Sequence, residues 1–448
     1  MPQPAENLLS FVGQVMDGLH ATQIPTQIET IQSRVRKRYN LTQCAKFIGV
    51  GLQYLSSMAK DPNFPEGEQV GRERVFTVND LFRIRALLAK NAKRPYDYLH
   101  WRQGDEPLRI VSFASQKGGT GKSITSAHFA QYLALHFGMR VGVIDADPQA
   151  TLTLYFAGAE FNDYFDHSIP TLVDFLGVYP TEQAPYVDHN AATLNQFWRP
   201  TGWPGTRIIP AHASVSEGEI QIARILQQRG GRRFYRFLYD AIERWKAGHP
   251  PLTRPNELIT GTGAIDDAKL SAALNETFDV IVIDYQPALT LFQLNNLVAS
   301  TDLIIPQTMK GFDLATLSTF LGNLYELMAE IVKHDPIDMC SGANAILPTI
   351  IQRANLQDID QLANLMAQCG DALLPVHVFR SDAITNAATV YQSCYEYDPP
   401  PNQRQSMKRF TTNINAANDA IVGRIWPHRS RDYAKQWIAE HYADDGEG

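Results

Sequence analysis

The sequence predicts an α/β protein in which a doubly wound, mostly parallel sheet follows a smaller helical module. Three observations support this fold class. From Arg109 onward, short apolar runs rich in β-branched residues alternate with helical segments of ten or more residues, as in buried parallel strands joined by helices. A glycine-rich stretch directly follows the first of these runs. The chain before Arg109 combines positive charge with turn residues that separate short helices.

Size and composition limit the alternatives. A chain of 448 residues is too long for one ordinary core, so we expect two or three domains. The first twenty residues lack a signal-peptide pattern, and no apolar stretch is long enough to span a bilayer. We therefore expect a cytoplasmic protein without membrane association. The cysteines show no metal-binding spacing and are predicted to be reduced thiols, and they are Cys44, Cys340, Cys369 and Cys394.

Residues 1–30 predict one amphipathic helix. Its apolar residues recur at spacings of three and four, which places them on one face between residues 5 and 20. Two interpretations remain open, because the helix either packs on its own domain or acts as a dimerisation arm. The apolar residues are Leu8, Phe11, Val12, Val15, Met16 and Leu19.

Residues 31–94 predict a winged helix-turn-helix domain. Two short helices are joined by a tight turn at Gly49-Val50-Gly51, and a loop rich in proline and glycine, a strand and a further helix follow. These stretches resemble the MerR-like winged helices of DNA-binding regulators. The predicted elements are a helix Gln43–Ile48 capped by Thr42, a helix Leu52–Lys60, a loop Asp61–Gly71, a strand Arg72–Phe76 and a helix capped by Thr77 or Asn79.

The charge of this segment favours DNA as its partner. Between Ile31 and Ile110 there are 15 Lys and Arg against 8 Asp and Glu, a local balance of +7 in a chain of net charge −7. The alternative is a solvated basic face. If the second helix enters the major groove, its base-contacting side chains are Gln53, Tyr54 and Ser57. Phosphate contacts are assigned to Arg36, Lys37, Arg72 and Arg74.

The remainder of the chain divides into a linker and the α/β domain. Residues 95–108 contain two prolines and no apolar period, which predicts a linker, and residues 109–448 form the larger domain. Its predicted strands are Ile110–Phe113, Val141–Ile144, Val280–Ile283, Leu303–Ile305, Ala345–Ile351 and Leu373–Val378.

The most specific motif is Ser115-Gln-Lys-Gly-Gly-Thr-Gly-Lys-Ser123, between the first strand of the α/β domain and a helix. Glycines let backbone N–H groups surround phosphate oxygens, and the helix N-terminus adds partial positive charge. Lys122 is expected to reach the β- and γ-phosphates, and the Ser123 hydroxyl to ligate Mg²⁺. The ordinary phosphate-binding loop (P-loop) has glycine where this chain has Gln116. The predicted nucleotide-binding residues are Lys117, Gly118, Gly119, Thr120, Gly121, Lys122, Ser123 and Ile124.

With its second lysine, Lys117, this loop resembles the ParA/MinD family of deviant Walker-A ATPases. Asp145-Ala-Asp147-Pro-Gln matches the family's DxDPQ box, and the run from Phe278 to Pro287 resembles its Walker-B strand. The resemblance implies that Asp147 orients the attacking water. It also implies that Asp145 supports Mg²⁺ indirectly and that Asp284 holds Mg²⁺ through water. Arg207-Ile-Ile-Pro-Ala is similar to the family's strand before a helix.

A segment near the C-terminus is similar to the family's PRNxRxSE segment, whose proline lies against adenine. Pro375, Ser381 and Asp382 match it in register, whereas Val376 and Phe379 stand where the family has arginines. Non-specific DNA binding would be a salt-sensitive contact with phosphates, and solvated side chains are the alternative for each candidate. The candidates are Arg380, Arg404, Lys408, Arg409 and Arg424.

Taken with the winged helix, residues 109–395 resemble the large ParA proteins of partition systems. The resemblance implies ATP, ADP and Mg²⁺ as ligands, and a sandwich homodimer in which Lys117 crosses to the partner's ATP. It implies an ATP hydrolase with Lys117, Lys122 and Asp147 as catalytic residues. Slow turnover would be raised by a ParB-type centromere-binding protein, with location on the nucleoid and repression of its own operon.

The principal alternative is a nucleotide-regulated transcriptional repressor with little partition role. A membrane-bound relative is disfavoured because the chain ends in the acidic stretch KQWIAEHYADDGEG. An electron carrier with an iron–sulfur cluster is disfavoured because no cysteine lies between Lys122 and Asp284.

Overall fold

The computed structural model describes residues 6–34, 36–90, 92–115, 117–158, 169–178, 186–229, 233–285, 290–335, 339–352 and 354–442. Three residues of the predicted motifs, Gln116, Gln286 and Pro287, lie outside these ranges.

The N-terminal part contains a long helix followed by a small three-stranded sheet and three helices. The sheet is antiparallel, with strand order β1-β3-β2. Its elements are α1 (Glu6–Gln32), β1 (Tyr39–Asn40), α2 (Leu41–Ile48), α3 (Leu52–Met58), β2 (Glu68–Val70), β3 (Glu73–Phe76) and α4 (Val78–Ala89). The helix, turn, helix and wing therefore follow one another in the predicted order.

Details of these elements differ from the sequence prediction. Asn40, rather than Thr42, caps α2, because its side chain accepts the Gln43 N–H at 3.0 Å while the Gln43 side chain accepts the Asn40 N–H. Helix α2 ends at Gly49, whose φ of +81° is readily adopted only by glycine. The next helix ends at Met58 instead of Lys60. Thr77 caps α4.

Helix α1 is longer than predicted, and its apolar face is not covered. All six predicted apolar residues are exposed, from 40% for Val12 to 63% for Phe11. Packing of this face on the chain's own domain is therefore wrong, because the residues that the structure describes leave it open to solvent. A dimerisation role for α1 stays a prediction.

The larger part is built on a seven-stranded sheet with order β10-β9-β4-β8-β5-β7-β6. Six strands are parallel and only β6, at the edge, is antiparallel, which confirms the predicted mostly parallel sheet. Its central strands are buried along their whole length, as expected when helices cover both faces. The strands are β4 (Arg109–Phe113), β5 (Val141–Ala146), β6 (Arg199–Pro200), β7 (Thr206–Ile209), β8 (Val280–Tyr285), β9 (Asp302–Gln307) and β10 (Asn344–Pro348).

Helices flank this sheet and complete the C-terminal part. They are α5 (Lys122–Phe137), α6 (Thr151–Phe156), α7 (Leu172–Phe175), α8 (Ala191–Gln196), α9 (Glu217–Arg229), α10 (Phe237–Gly248), α11 (Asp267–Glu276), α12 (Leu291–Ala299), α13 (Gly311–His334), α14 (Leu356–Cys369), α15 (Asp382–Thr389), α16 (Arg404–Ile425) and α17 (Tyr433–Tyr442). Within the described part of the chain, none of the helices is long and apolar enough to cross a bilayer.

The predicted strand Leu373–Val378 is not a regular strand. The segment runs beside β10 and forms isolated bridges, from Leu373 to Ile346 of β10 and from Phe379 to Ile351, which follows β10. The Leu374 N–H donates to the Ile346 carbonyl at 2.9 Å, and the next bond to β10 is from the Val378 N–H to the Pro348 carbonyl at 2.8 Å. Four residues of the segment thus match two of β10, so the regular ladder is interrupted between them.

The predicted linker 95–108 is packed into the core instead of being exposed. Leu99 and Trp101 are almost fully buried, and the Trp101 indole donates to the Gly138 carbonyl at 2.9 Å. The Arg140 guanidinium stacks on the Trp101 ring, 4.4 Å from its centroid. The segment is therefore part of the interface between the two halves of the chain. Because its apolar residues have no regular spacing, the sequence did not predict this packing.

A buried arginine joins the N-terminal module to the larger part. Arg85 of α4 is fully buried, and its guanidinium donates to the carbonyls of Phe47 in α2, Tyr98 and Leu135 in α5. Burial lowers the pKa of Arg85. Since these carbonyls belong to three segments, removing the guanidinium would leave all of them without this buried donor.

The helix that follows the glycine-rich loop also contains a buried histidine. The His128 ring lies within hydrogen-bonding distance of the Ile124 carbonyl through Nδ1, at 2.6 Å, and Nε2 accepts the Cys394 N–H at 3.1 Å. Burial lowers the pKa of His128 to about 4. Burial also lowers the pKa of His100 and of His136.

These histidines predict that acid destabilises the fold. A depressed folded-state pKa means that the unfolded chain binds the proton first, so the free energy of unfolding falls as the pH drops from about 6.5 towards 4. For His128 alone we expect a loss of about 2 kcal/mol between pH 7 and pH 5. Urea unfolding at both pH values measures it. His128→Gln, which does not titrate, should be less stable at pH 7 and show a smaller pH difference, and an unchanged difference would contradict the assignment.

Candidate nucleotide-binding site

The glycine-rich loop lies between β4 and α5, at the carboxyl ends of the parallel strands. Gly119 and Gly121 both have φ of +78°, a conformation that side chains disfavour. Inside the loop, the Ser115 and Thr120 hydroxyls are 2.9 Å apart. The hydroxyl of Thr349, which directly follows β10, donates to the Thr120 carbonyl at 2.7 Å. These contacts fix the bend of the loop, which leads into the N-terminus of α5. The unpaired N–H groups at this N-terminus attract anions.

Lys122, the first residue of α5, points to the carboxylates of two neighbouring strands. Its Nζ lies 2.8 Å from Asp284 Oδ1 and 3.5 Å from Asp147 Oδ2. Asp145 and Asp284 are directly paired in the register of β5 and β8. The three aspartates that the DxDPQ and Walker-B resemblances singled out therefore meet at one edge of the sheet.

The charges of this cluster do not balance. Burial alone would lower the pKa of Lys122, but Asp284, Asp147 and Asp145 outweigh it and the pKa is raised. Burial raises the pKa of Asp145 to about 7, and the charge of Asp284 adds to this effect. Burial also raises the pKa of Asp284, although Lys122 opposes the shift. Three carboxylates share one buried ammonium, so the site has room for further positive charge.

The residues fit a divalent cation. Asp284 Oδ2 is buried and makes no hydrogen bond of good geometry with the described residues, while the nearby Ser123 hydroxyl lowers the pKa of this carboxyl. A carboxylate oxygen without a donor, beside a hydroxyl and two further aspartates, is the oxygen-rich environment that Mg²⁺ prefers.

Asp145 is held by the protein itself. Its Oδ2 accepts both the backbone N–H and the hydroxyl of Thr153 at 2.7 Å, and its Oδ1 accepts the Asp147 N–H at 3.1 Å. Asp145 therefore fixes the backbone of the loop that presents Asp147. This arrangement agrees with an indirect role and leaves Asp147 and Asp284 nearest to Lys122.

Lys117 has a separate partner from Lys122. Its Nζ donates to a carboxylate oxygen of Asp313, near the start of α13, and Asp313 also accepts the Thr308 hydroxyl. The Lys117 ammonium lies 5.8 Å from the ring centre of Phe312, a side chain that is 78% exposed. The side chain of Lys117 itself is 41% exposed. Lys117 is thus directed to the outer rim of the loop, away from the aspartate cluster.

The sequence prediction missed Asp313, Thr308 and Thr349, which follow strands β9 and β10. Their position in the sequence could have indicated them, because residues that directly follow parallel strands lie at the same edge of the sheet. Arg380, predicted to bind DNA, lines a cavity of about 170 Å³ beside Lys117 and Gly118. Pro375 is exposed, in the segment beside β10.

The predicted base-reading residues lie on one exposed helix. Gln53, Tyr54 and Ser57 of α3 are all exposed, while Leu55 between them is buried against the module's core. The three side chains are therefore accessible to a ligand that approaches α3.

Three of the four predicted phosphate-binding residues have structural partners. Arg74 donates to the Pro65 and Glu66 carbonyls and lies over the rings of Phe64 and Phe76. Lys37 donates to the Tyr397 carbonyl at 3.3 Å. The Arg36 guanidinium fills the space where a side chain at Gly202 would lie. Phosphate binding by these three residues stays a prediction, and these contacts hold their side chains in place. Arg72 is exposed in the turn between β2 and β3.

The C-terminal basic residues form a solvent-facing row. Arg404, Lys408 and Arg409 are exposed on α16. Arg424, near the end of the same helix, is also exposed, and its guanidinium donates to the Asp371 carbonyl.

Comparison with known proteins agrees with this geometry. Residues 111–249 match the CobQ/CobB/MinD/ParA nucleotide binding domain. A putative replication protein A of Rhizobium rhizogenes is 25% identical over 399 residues, which cover 87% of this chain and 88% of that protein. The chromosome partitioning protein ParA of Caulobacter vibrioides is 25% identical over 292 residues, or 65% of this chain and 88% of that protein.

One solved structure shares the fold over most of the chain. It is described as a partition protein, and it aligns with a TM-score of 0.54 and 18% sequence identity over 90% of this chain and 96% of its own. The glycine-rich loop, the aspartate cluster and these similarities lead to one assignment. The chain contains a nucleotide-binding domain of the CobQ/CobB/MinD/ParA family and is a homologue of ParA-type partition and replication proteins.

Proposed function

We propose that this protein is a ParA-type ATPase for plasmid or chromosome partition, which ATP binding assembles into a DNA-bound homodimer and hydrolysis releases. The observation that carries this proposal is the separation of the two loop lysines. Lys122 is buried among Asp284 and Asp147, whereas Lys117 lies at the exposed rim with Asp313. Only one lysine serves the chain's own nucleotide site, so the other is available to a second subunit.

Hydrolysis requires mainly positioning and charge neutralisation. The loop amides and the N-terminus of α5 bind phosphate oxygens. The Lys122 ammonium moves from its aspartate partners to the phosphates. Ser123 and Asp284 would hold Mg²⁺, which supplies the positive charge that the aspartate cluster lacks. Asp147 then orients water, and Asp145 keeps its loop in place.

The second subunit completes the site. For Lys117 to reach the partner's ATP it must leave Asp313, so dimerisation exchanges one charge partner for another. The exposed Phe312 beside it belongs to the same outer surface. ATP is then an interface component as well as a substrate, and its hydrolysis separates the subunits. Such a switch turns over slowly, and a ParB-type centromere-binding protein would accelerate it.

DNA binding has two components in this proposal. The winged helix-turn-helix module recognises a specific operator, which includes that of the protein's own operon. The ATP-bound dimer binds any sequence through basic side chains such as those on α16, and this holds it on the nucleoid.

A second function is favoured by one contact. Because Arg85 binds the P-loop helix α5 and the module's α2 together, nucleotide state can be transmitted to the module. A nucleotide-regulated transcriptional repressor would need only this coupling between nucleotide and module, without a cycle of hydrolysis. Hydrolysis that increases with DNA and centromere-binding protein supports partition, and nucleotide-dependent operator binding without turnover supports the repressor.

Lys122→Ala is expected to weaken ATP binding. Removal of a charge-assisted contact to phosphate should lower the affinity by roughly 10- to 100-fold. Equilibrium binding of a fluorescent ATP analogue measures it, and Lys269→Ala, an exposed lysine on α11, is the control. A thermal melt checks the fold, because Asp284 loses its buried counter-charge. Wild-type affinity in a folded Lys122→Ala protein would contradict the assignment.

Lys117→Ala and Asp147→Ala should both retain ATP binding and lose hydrolysis, by about 10²–10³ in rate. Their assembly should differ, because Lys117 acts across the interface and Asp147 acts within one subunit. Light scattering with ATP should show a persistent dimer for Asp147→Ala and poor dimerisation for Lys117→Ala. Identical assembly of the two variants would contradict the role of Lys117 in trans.

Gln53→Ala and Arg72→Ala should affect DNA binding differently. Loss of a base contact from Gln53 should weaken operator binding selectively, by roughly 1–3 kcal/mol if the contact is bidentate. Loss of Arg72 should weaken all sequences alike and reduce the salt slope by about one. Fluorescence anisotropy with operator and random duplexes separates the two effects, with Gln357→Ala on the larger domain as control. Point variants are required, since deleting the module would expose the buried surface around Trp101 and Leu135. Unchanged operator preference in Gln53→Ala would contradict base reading by α3.

A further inference from the structure

Arg34 joins the N-terminal part of the chain to a short helix beside the nucleotide site. It lies two residues beyond the end of α1, and its guanidinium reaches the C-terminal end of α6. Nη1 donates to the carbonyls of Tyr155 and Ala157, both at 3.0 Å, and Nη2 donates to that of Leu154 at 2.9 Å. One side chain therefore binds three carbonyls more than 110 residues away in sequence.

These carbonyls are the groups that a helix cannot satisfy internally. The last turn of a helix presents unpaired C=O groups with partial negative charge, and a cation there is stabilising. Helix α6 is only six residues long, so it has little internal hydrogen bonding to keep its register. A planar guanidinium can bind several carbonyls in a fixed geometry, which an ammonium cannot do.

The other end of α6 leads directly to the hydrolysis site. The helix begins after Ala150, which has a φ of +55° that is unusual for alanine. The turn that precedes it is closed by the Ala150 N–H, which donates to the Asp147 carbonyl at 2.8 Å. Within α6, Thr153 makes the two bonds to Asp145 that fix this loop. The position of Asp147 thus depends on where α6 lies.

We propose that Arg34 is a positioning residue for ATP hydrolysis, which acts through α6, Thr153 and Asp145 to hold Asp147 in place. This inference rests on the proposed ATPase function. Arg34 contacts neither Lys122 nor the aspartates, so its effect is on the rate of the chemical step and not on nucleotide affinity. It also provides a route from the N-terminal elements to the active site.

The neighbours of Arg34 support this route. It stands between α1 and β1, the first strand of the winged module. On the α1 side, the Gln27 amide donates to the Tyr391 hydroxyl at 3.2 Å. On the β1 side, the Tyr39 hydroxyl donates to the Tyr395 carbonyl at 2.8 Å. The segment that bears Arg34 is therefore anchored on both sides, and a displacement of α1 or of the module would reach α6 through it.

The first test separates catalysis from binding. Arg34→Gln in the full chain should lower kcat by about tenfold while the KM for ATP changes by less than about twofold, because misplacement of a catalytic group affects the transition state most. Arg34→Lys should recover only part of the rate. Arg38→Gln is the matched control, since Arg38 pairs with Glu68 on the exposed wing and has no contact with α6 among those described.

The second test is a double-mutant cycle. If Arg34 acts through Thr153, then Arg34→Gln should lower kcat by less than about twofold in a Thr153→Ala background. Independent, multiplied losses would overturn the proposed route, as would a wild-type kcat in a folded Arg34→Gln protein. ATP-analogue affinity confirms folding of each variant. A wild-type protein without ATPase activity would overturn the proposed function, whereas active wild type with equal rates in Arg34→Gln and Arg38→Gln would overturn this inference alone.

Discussion

The structure of the site depends on a buried charge imbalance at the edge of the parallel sheet. Asp147 and Asp284 contact one ammonium, that of Lys122, and Asp145 lies beside Asp284 in the register of the sheet. Burying carboxylates without compensation is costly, and the Lys122 ammonium supplies part of that compensation. A nucleotide with its cation brings both new negative charge for Lys122 and new positive charge for the aspartates. Ligand binding therefore redistributes charge that the fold has already assembled.

Helix α5 connects this site with the rest of the molecule. Its N-terminus faces the phosphate loop, and its C-terminal carbonyls are bound by arginines from distant parts of the chain. Arg85 of α4 donates to Leu135, and Arg431 donates to the His136 carbonyl at 2.7 Å. Since the unpaired groups at both ends of a helix must be satisfied, the N-terminal module and the C-terminal segment are both attached to the helix that follows the glycine-rich loop. The two halves of the chain are consequently one packed structure.

The arginines and lysines of the N-terminal part bind different groups within the protein. The basic run after α1 predicts nucleic acid by charge alone, yet Arg34 caps α6, Arg36 packs on Gly202 and Lys37 binds Tyr397. Arg74 stacks in the wing. Arg72 and the three predicted base-reading residues of α3 are instead exposed. A guanidinium has five N–H donors, so the local charge of a segment does not indicate which groups its arginines bind.

The sequence by itself determined the α/β class, the positions of most strands along the chain, the glycine-rich loop and the three aspartates. These depend on local apolar periodicity and on residues whose chemistry is specific to phosphate and Mg²⁺. It did not determine where 95–108 lies, since a segment that packs through isolated side chains such as Trp101 has no period. It did not distinguish structural from ligand-binding cations. Nor did it connect Lys117 with Asp313 or Arg34 with α6, because these contacts join residues more than 100 positions apart. Only the tertiary structure decides such pairs, since a side chain's partner depends on which distant backbone groups are left unsatisfied within its reach.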